Sequence, residues 1–220
     1  MTLADYIGKY WAGAEVMYGV IIAMTFTSTL RGWGYQIFVD LILQKTIVAA
    51  LACCMAWGVA DGLFYLWERR YIIRQENRII QISKSVQSDE SAIPLIEEQL
   101  DDTILRNLPK ENRRKLYQEL TRYLSTASIR EKLSPYDTIT LIFGTFLRST
   151  AAGVIIVTPF FVIDNVNQAL NISNLAGIFL LFGVGYFRAL DENFFQKVQF
   201  GFGSALIGIA IAGITIVLGG

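Results

Sequence analysis

Residues 46–67 read TIVAALACCMAWGVADGLFYLW. The stretch is long enough to cross a bilayer as a helix, which takes about 20 apolar residues. Its one charge is Asp61. An acid inside a span is costly to bury and by default marks a functional position. At 1.5 Å per residue Asp61 stands about 9 Å along the axis from Trp67, in the outer part of the span, on its charged side. Beyond Trp67 the text turns polar at once, with Glu68, Arg69 and Arg70. Ala52, Ala56 and Ala60 lie four apart on one face, a spacing that lets membrane helices approach closely. Cys53 and Cys54 are adjacent within the span and read as small packing residues.

Before this span, residues 31–45 form a connector with Trp33 and Tyr35 at an interface. The run Ala14–Leu30 is the expected first span, with Thr25, Thr27, Ser28 and Thr29 placed to bond back to their own helix. Glu15 sits at its start, where a helix N-terminus favours a carboxylate; a direct role in ion handling is the alternative. Residues 1–13 read as a short interfacial helix anchored by Tyr10 and Trp11.

After it, residues 68–142 carry 13 of the 19 lysines and arginines and read as a helical insert. Helical pattern continues from the span to Val86, breaks at Ser88-Asp89-Glu90-Ser91, and resumes with apolar residues at Ile93, Ile96, Leu100, Ile104 and Leu108. Pro109 opens a third helix, a tolerated position for proline. Ser134-Pro135-Tyr136-Asp137 marks the return to the membrane. Leu141–Ile163 is the third span and holds Arg148 and Pro159. Arg148 either snorkels to the interface or pairs with an acid, Asp61 being the obvious partner. The loop 164–173 has no Lys or Arg, Asn174–Leu190 is the fourth span, and Val198–Leu218 is the fifth, with Ser204, Gly208 and Ala212 as a small-residue stripe.

The expected fold is therefore an all-α membrane protein: five transmembrane helices with a cytoplasmic helical insert between the second and third. Its divisions are 1–67, 68–142 and 143–220. The basic insert sets the N-terminus inside and the C-terminus outside by the positive-inside rule. The expected setting is multi-pass, in the cell membrane of a bacterium.

Composition agrees. Hydrophobic residues make up 53% of the 220-residue chain and charged ones 17%, and the net charge is zero, which points away from a nucleic-acid partner. There is no histidine, the commonest metal ligand and near-neutral proton carrier, which argues against zinc hydrolases and Ser-His-Asp enzymes. No phosphate loop or nucleophile elbow is present. No enzyme activity and no permanently bound cofactor are expected.

Glu97, Glu98, Asp101 and Asp102 fall at i,i+3 and i,i+4 spacings on one broad helix face. Hard divalent cations favour such oxygen clusters. The plainer reading is a solvated face with Arg106 as ion-pair partner. Met55 and Met24 could offer soft sulfur inside the membrane, though apolar packing is the ordinary use of methionine.

Several short motifs resemble the vacuolar iron transporter family. They are Tyr18-Gly19 early in the first span, Met55-Ala56-Trp57-Gly58 in the second, Pro159 late in the third, and the glycine-rich VQFGFGSALIGIAIAGITIVLG at 198–219. The order of spans and insert is similar too. The resemblance implies a homodimer that moves ferrous iron, manganese or a similar divalent ion out of the cytosol, coupled to protons. In that reading Asp61 is the membrane carboxylate, Met55 and Met24 are soft ligands, and Glu97, Glu98, Asp101 and Asp102 collect metal. The chain departs from the family where Ile22-Ala23 replaces an Asp-Gly pair and Val59 replaces a glutamate. A membrane scaffold that binds a partner through its Ile93–Leu108 face is the competing expectation.

Overall fold

The computed structural model describes residues 3–30, 39–85, 88–100, 104–189 and 192–217. Their regular structure is helical: α1 (Leu3–Ser28), α2 (Val39–Ser83), α3 (Ser88–Leu100), α4 (Lys110–Leu124), α5 (Pro135–Val157), α6 (Pro159–Val162), α7 (Val166–Arg188) and α8 (Phe194–Val217). A short 3-10 turn, Ile104–Asn107, precedes α4. The chain divides into two compact units, one of Met1–Leu66 with Pro135–Gly220 and one of Trp67–Ser134.

Four helices are long and apolar enough to cross a membrane: Leu41–Ser83, Pro135–Val162, Val166–Arg188 and Phe194–Ile211. Their outer surfaces suit lipid. Phe143, Phe161, Phe179, Phe195 and Phe202 are each more than half exposed, a surface that would be a liability in water. The helix α1 is not one of the four. It packs against α5, α7 and α8, and its Val20, Ala23 and Met24 have no exposed surface.

Close packing here depends on residues without side chains. The stripe of α2 that is buried is Ala50, Cys54, Gly58 and Gly62, four apart. The expected stripe of Ala52, Ala56 and Ala60 is not the packed one, since Ala52 and Ala56 are exposed. Glycine wins because it admits a backbone where alanine does not: a Cβ on Gly58 would lie 2.7 Å from the Phe146 Cα, and one on Gly62 2.6 Å from the Ile142 Cα. Gly19 on α1 likewise meets the Ser149 carbonyl of α5. Two hydrogen bonds fasten this three-helix junction. Ser149 Oγ donates to the Cys54 carbonyl at 2.9 Å, and Cys54 Sγ donates to the Gly19 carbonyl at 3.4 Å. Between α7 and α8 the same device recurs, with Gly185 against Phe200 and Ser204, and Gly208 against Leu181. The side chain of Ala212 lies outside the described residues.

Several boundaries move. The first helix begins at Leu3 and kinks at Gly8 (φ 82°), so the expected interfacial segment and first span form one kinked element. Glu15 is about two turns past that kink and is not in a first turn. The hydroxyls of Thr25, Thr27 and Thr29 do bond back, to the carbonyls of Ile21, Ala23 and Phe26, whereas that of Ser28 is buried with no hydrogen-bond partner among the described residues. Pro159 splits the third span into α5 and α6. The loop expected over 164–173 is short, because Asn165 caps α7 by accepting from the Gln168 amide at 3.0 Å. Ser88-Asp89-Glu90-Ser91 opens α3 and does not break it, as suits small and acidic residues at a helix start.

In the unit Trp67–Ser134 a small core forms around Ile79, Ile96 and Tyr117. Leu108, expected on the same apolar face, is 40% exposed, and the residues just before it, Ile104–Asn107, form a 3-10 turn, whose period does not continue the face of an α-helix. The return helix starts at Pro135, so 135–142, expected within the insert, are the first turns of α5. The non-helical stretch 127–134 is tied to α2 by Asn77, which accepts from the Arg130 amide at 2.7 Å and donates to the Arg130 carbonyl at 2.9 Å. Glu76 adds a 2.7 Å ion pair to the Arg130 guanidinium, weakened by its exposure to water. Asn77→Ala is expected to cost about 1 kcal/mol. Hydrogen exchange should show faster amides at 127–134 in that variant and unchanged amides in α7 and α8.

Candidate functional site

The site is built on three helices. On α2, Trp57, Asp61 and Tyr65 are spaced by four and so share a face. On α1, Glu15 and Tyr18 are one turn apart. Arg148 comes from α5, beside the glycine junction that presses α5 onto the other two helices.

Glu15 is the centre. It has no exposed surface, and Tyr65 donates its hydroxyl to Oε1 at 2.9 Å. Its second oxygen, Oε2, has no hydrogen-bond partner among the described residues. Asp61 and Arg148 both lie within electrostatic reach of Glu15. Asp61 is half-buried and accepts a hydrogen bond from the Trp57 side chain. The Trp57 ring meets Tyr18 edge-on, with centroids 6.1 Å apart and planes at 68°. One Arg148 nitrogen, Nη1, is buried with no hydrogen-bond partner among the described residues. The Arg148 guanidinium thus acts on Glu15, an acid that the sequence pattern assigns to a helix start.

A buried carboxylate needs a partner of opposite charge or a donor on each oxygen. Glu15 is given one donor, with one cation, Arg148, and a second acid, Asp61, within electrostatic reach. Two carboxylates and one guanidinium leave an ionised cluster one negative charge in excess. Such a cluster is suited to taking up a cation and poorly suited to holding an anion. Two carboxylates are also a sufficient protein share for a hard divalent ion that keeps part of its water.

The other expected site residues are placed as follows. Met24 has no exposed surface and lies in a core with Met17, Val20, Cys54, Ile156 and Leu181. Met55 is 43% exposed, on the outer side of α2. Glu97 and Glu98 are exposed on α3; Glu97 lines a shallow pocket with Lys110 and Arg114 of α4, cations that compete with a metal for it. Asp101 and Asp102 lie outside the described residues. Among the described residues no group of three or more His, Cys, Asp or Glu side chains is arranged to hold a metal ion. Of the expected set, only Asp61 stands in the buried cluster.

Sequence reading ranked a helix-start role for Glu15 above ion handling and gave Tyr65 no role. The available signal was the four-residue spacing of Trp57, Asp61 and Tyr65, which puts three polar-tipped side chains on one face of an apolar helix. Removing the Tyr65 hydroxyl should leave both Glu15 oxygens without a donor. Tyr65→Phe is expected to slow any cation flux through the site about tenfold, the worth of one hydrogen bond to a charged group. Flux in reconstituted vesicles measures it, with the folded yield as control. No family model matches this chain, and no curated protein sequence does either.

Proposed function

We propose that the protein is a five-span membrane carrier that moves a divalent cation, ferrous iron or manganese(II), out of the cytosol in exchange for protons. Glu15 and Asp61 are its paired carboxylates. The observation that carries this reading is Glu15 itself: a fully buried acid with one oxygen unpartnered among the described residues and a second acid, Asp61, within electrostatic reach. Ionisable groups at such positions mark ion pathways. In this reading α1 is the fifth span and the central one, the N-terminus is cytoplasmic, and the working unit is a homodimer. Met24 and Met55 serve packing, and the collecting role expected of Glu97, Glu98, Asp101 and Asp102 is not required.

The competing scaffold reading needs a free Ile93–Leu108 face. Ile96, at 2% exposure, is spent inside the unit's own core, which supports the carrier.

The test is flux. Purified protein goes into liposomes holding a metal-quenched dye, and manganese(II), iron(II) and zinc(II) are added outside. Wild-type protein is expected to carry manganese or iron. Asp61→Asn, which keeps the Trp57 hydrogen bond but removes the second negative charge, is expected to slow uptake at least about tenfold. Folded wild-type protein that carries none of the three ions would refute the reading. Equal uptake by Asp61→Asn would remove Asp61 from the path.

A further inference from the structure

Within the unit Trp67–Ser134, Glu97 of α3 and Lys110, Arg114, Tyr117 and Gln118 of α4 line a pocket of about 760 Å³. Lys110, Arg114 and Gln118 are four apart and share one face of α4. Basic side chains elsewhere on this helix are spent on its own acids: Lys115 pairs with Glu111 at 3.0 Å, and Arg122 with Glu119 at 3.5 Å. Lys110 and Arg114 have no ion-pair partner among the described residues; Glu97 lines the same pocket but stays beyond ion-pair distance of both. The cations are thus left facing open space. Tyr117 gives an independent indication that something fills that space. It is the most buried of these residues, at 1% exposure, and its hydroxyl has no hydrogen-bond partner among the described residues. A buried hydroxyl without a partner is a cost to the fold that an acceptor seated in the pocket removes. The N-terminus of α4 lies here too: Lys110 is its first residue, and no side chain caps that end. Its dipole adds about half a positive charge.

We infer that this pocket binds a phosphate group, free or at the head of a lipid. Lys110, Arg114 and the Gln118 amide donate from one face of α4, and the Tyr117 hydroxyl donates from the most buried wall. The charges fit. Two cations against the single carboxylate of Glu97 leave one positive charge, and the helix end raises this to about 1.5. A phosphodiester carries one negative charge and a phosphomonoester about 1.5 to 2 at pH 7, so either is close to neutralised. A carboxylate has only two oxygens for these four donors, whereas a phosphate group presents more of them in a tetrahedral array. A divalent cation is repelled by the same charge count. The site belongs to the helical insert and stands whether or not Glu15 and Asp61 carry a cation.

The test uses full-length protein in a sugar-headed detergent, which brings no phosphate of its own. Inorganic phosphate and dihexanoylphosphatidylglycerol are titrated separately by calorimetry, each up to about 10 mM. Wild-type protein is expected to bind at least one of them. Tighter binding of the inorganic ion, by about tenfold or more, would make free phosphate groups the ligand; the reverse preference would make it a lipid headgroup; equal binding would place recognition on the phosphate that the two share. Arg114→Gln and Lys110→Gln are each expected to weaken binding about tenfold, the worth of a hydrogen bond to a charged group. Glu97→Gln is expected to tighten it about threefold, because it removes the opposing charge. Tyr117→Phe should weaken binding about threefold or more and leave the unfolding temperature unchanged or higher, because the hydroxyl it removes has no partner in the ligand-free fold. Folded wild-type protein that binds neither probe would overturn the inference. Binding that Arg114→Gln and Lys110→Gln both leave within about twofold of wild type, or that Glu97→Gln weakens, would overturn it as well.

Discussion

Glu15→Gln is expected to lower cation flux on the order of 100-fold while leaving the fold in place. The substitution is nearly isosteric, and the amide oxygen can still accept from Tyr65, whose hydroxyl lies 2.9 Å from Oε1 in the native protein. What is lost is charge. A unit charge about 4 Å from a cation is worth about 4 kcal/mol at an effective dielectric of 20, and even two-thirds of that is about two orders of magnitude in rate or affinity. The control is thermal unfolding in detergent, which should match wild type to within a few degrees. Glu15→Ala is a poorer probe, because it opens a cavity and strands Tyr65 and Arg148 together.

Gly58→Val should have the largest effect on stability. A Cβ there would stand 2.7 Å from the Phe146 Cα and 3.0 Å from the Thr145 carbonyl oxygen. Both obstacles are backbone, so no rotamer change relieves the clash and α2 must part from α5. Overpacking of this kind costs about 3 kcal/mol or more. The Ser149–Cys54 hydrogen bond lies at the same junction and should fail with it. Folded yield and unfolding temperature in detergent measure the loss. Gly203→Ala is the matched control: a Cβ there meets nothing within 4 Å, and alanine is the better helix former, so this variant should be neutral or slightly stabilised.

The membrane character of the chain was legible in Thr46–Trp67, because a run of apolar residues of that length has few other uses. Which face of that helix packs was not. Two stripes of period four compete in it, and alanine spacing was read where glycine spacing decided. The physical ground for choosing was available: Gly58 and Gly62 allow backbone contact, whereas Ala52 and Ala56 still carry a Cβ. Glu15 reads as terminal because the apolar run begins at Ala14, yet the helix extends back through Trp11 to the kink at Gly8. A carboxylate that looks terminal in the text is internal in the helix. The grouping of Glu15, Asp61 and Arg148 draws on residues from three helices far apart in sequence, and no local pattern reports such a meeting. Asp61 stands out in the sequence because a lone acid in an apolar span is conspicuous without its partners. Glu97 and Glu98 stood out for the same kind of reason, but their helix is solvent-facing, where acidic residues are ordinary.

The central claim is that the Glu15 carboxylate binds the cargo cation. Labelling by a membrane-permeant carbodiimide, mapped by peptide mass spectrometry with and without manganese(II), tests it most directly. Manganese is expected to cut labelling of Glu15 at least about fivefold by mass action, and to leave labelling of the exposed Glu97, Glu98 and Asp164 unchanged. Labelling of Glu15 that is indifferent to manganese, with protection appearing at Glu97 and Glu98 instead, would contradict it and move the cation site to the helical insert.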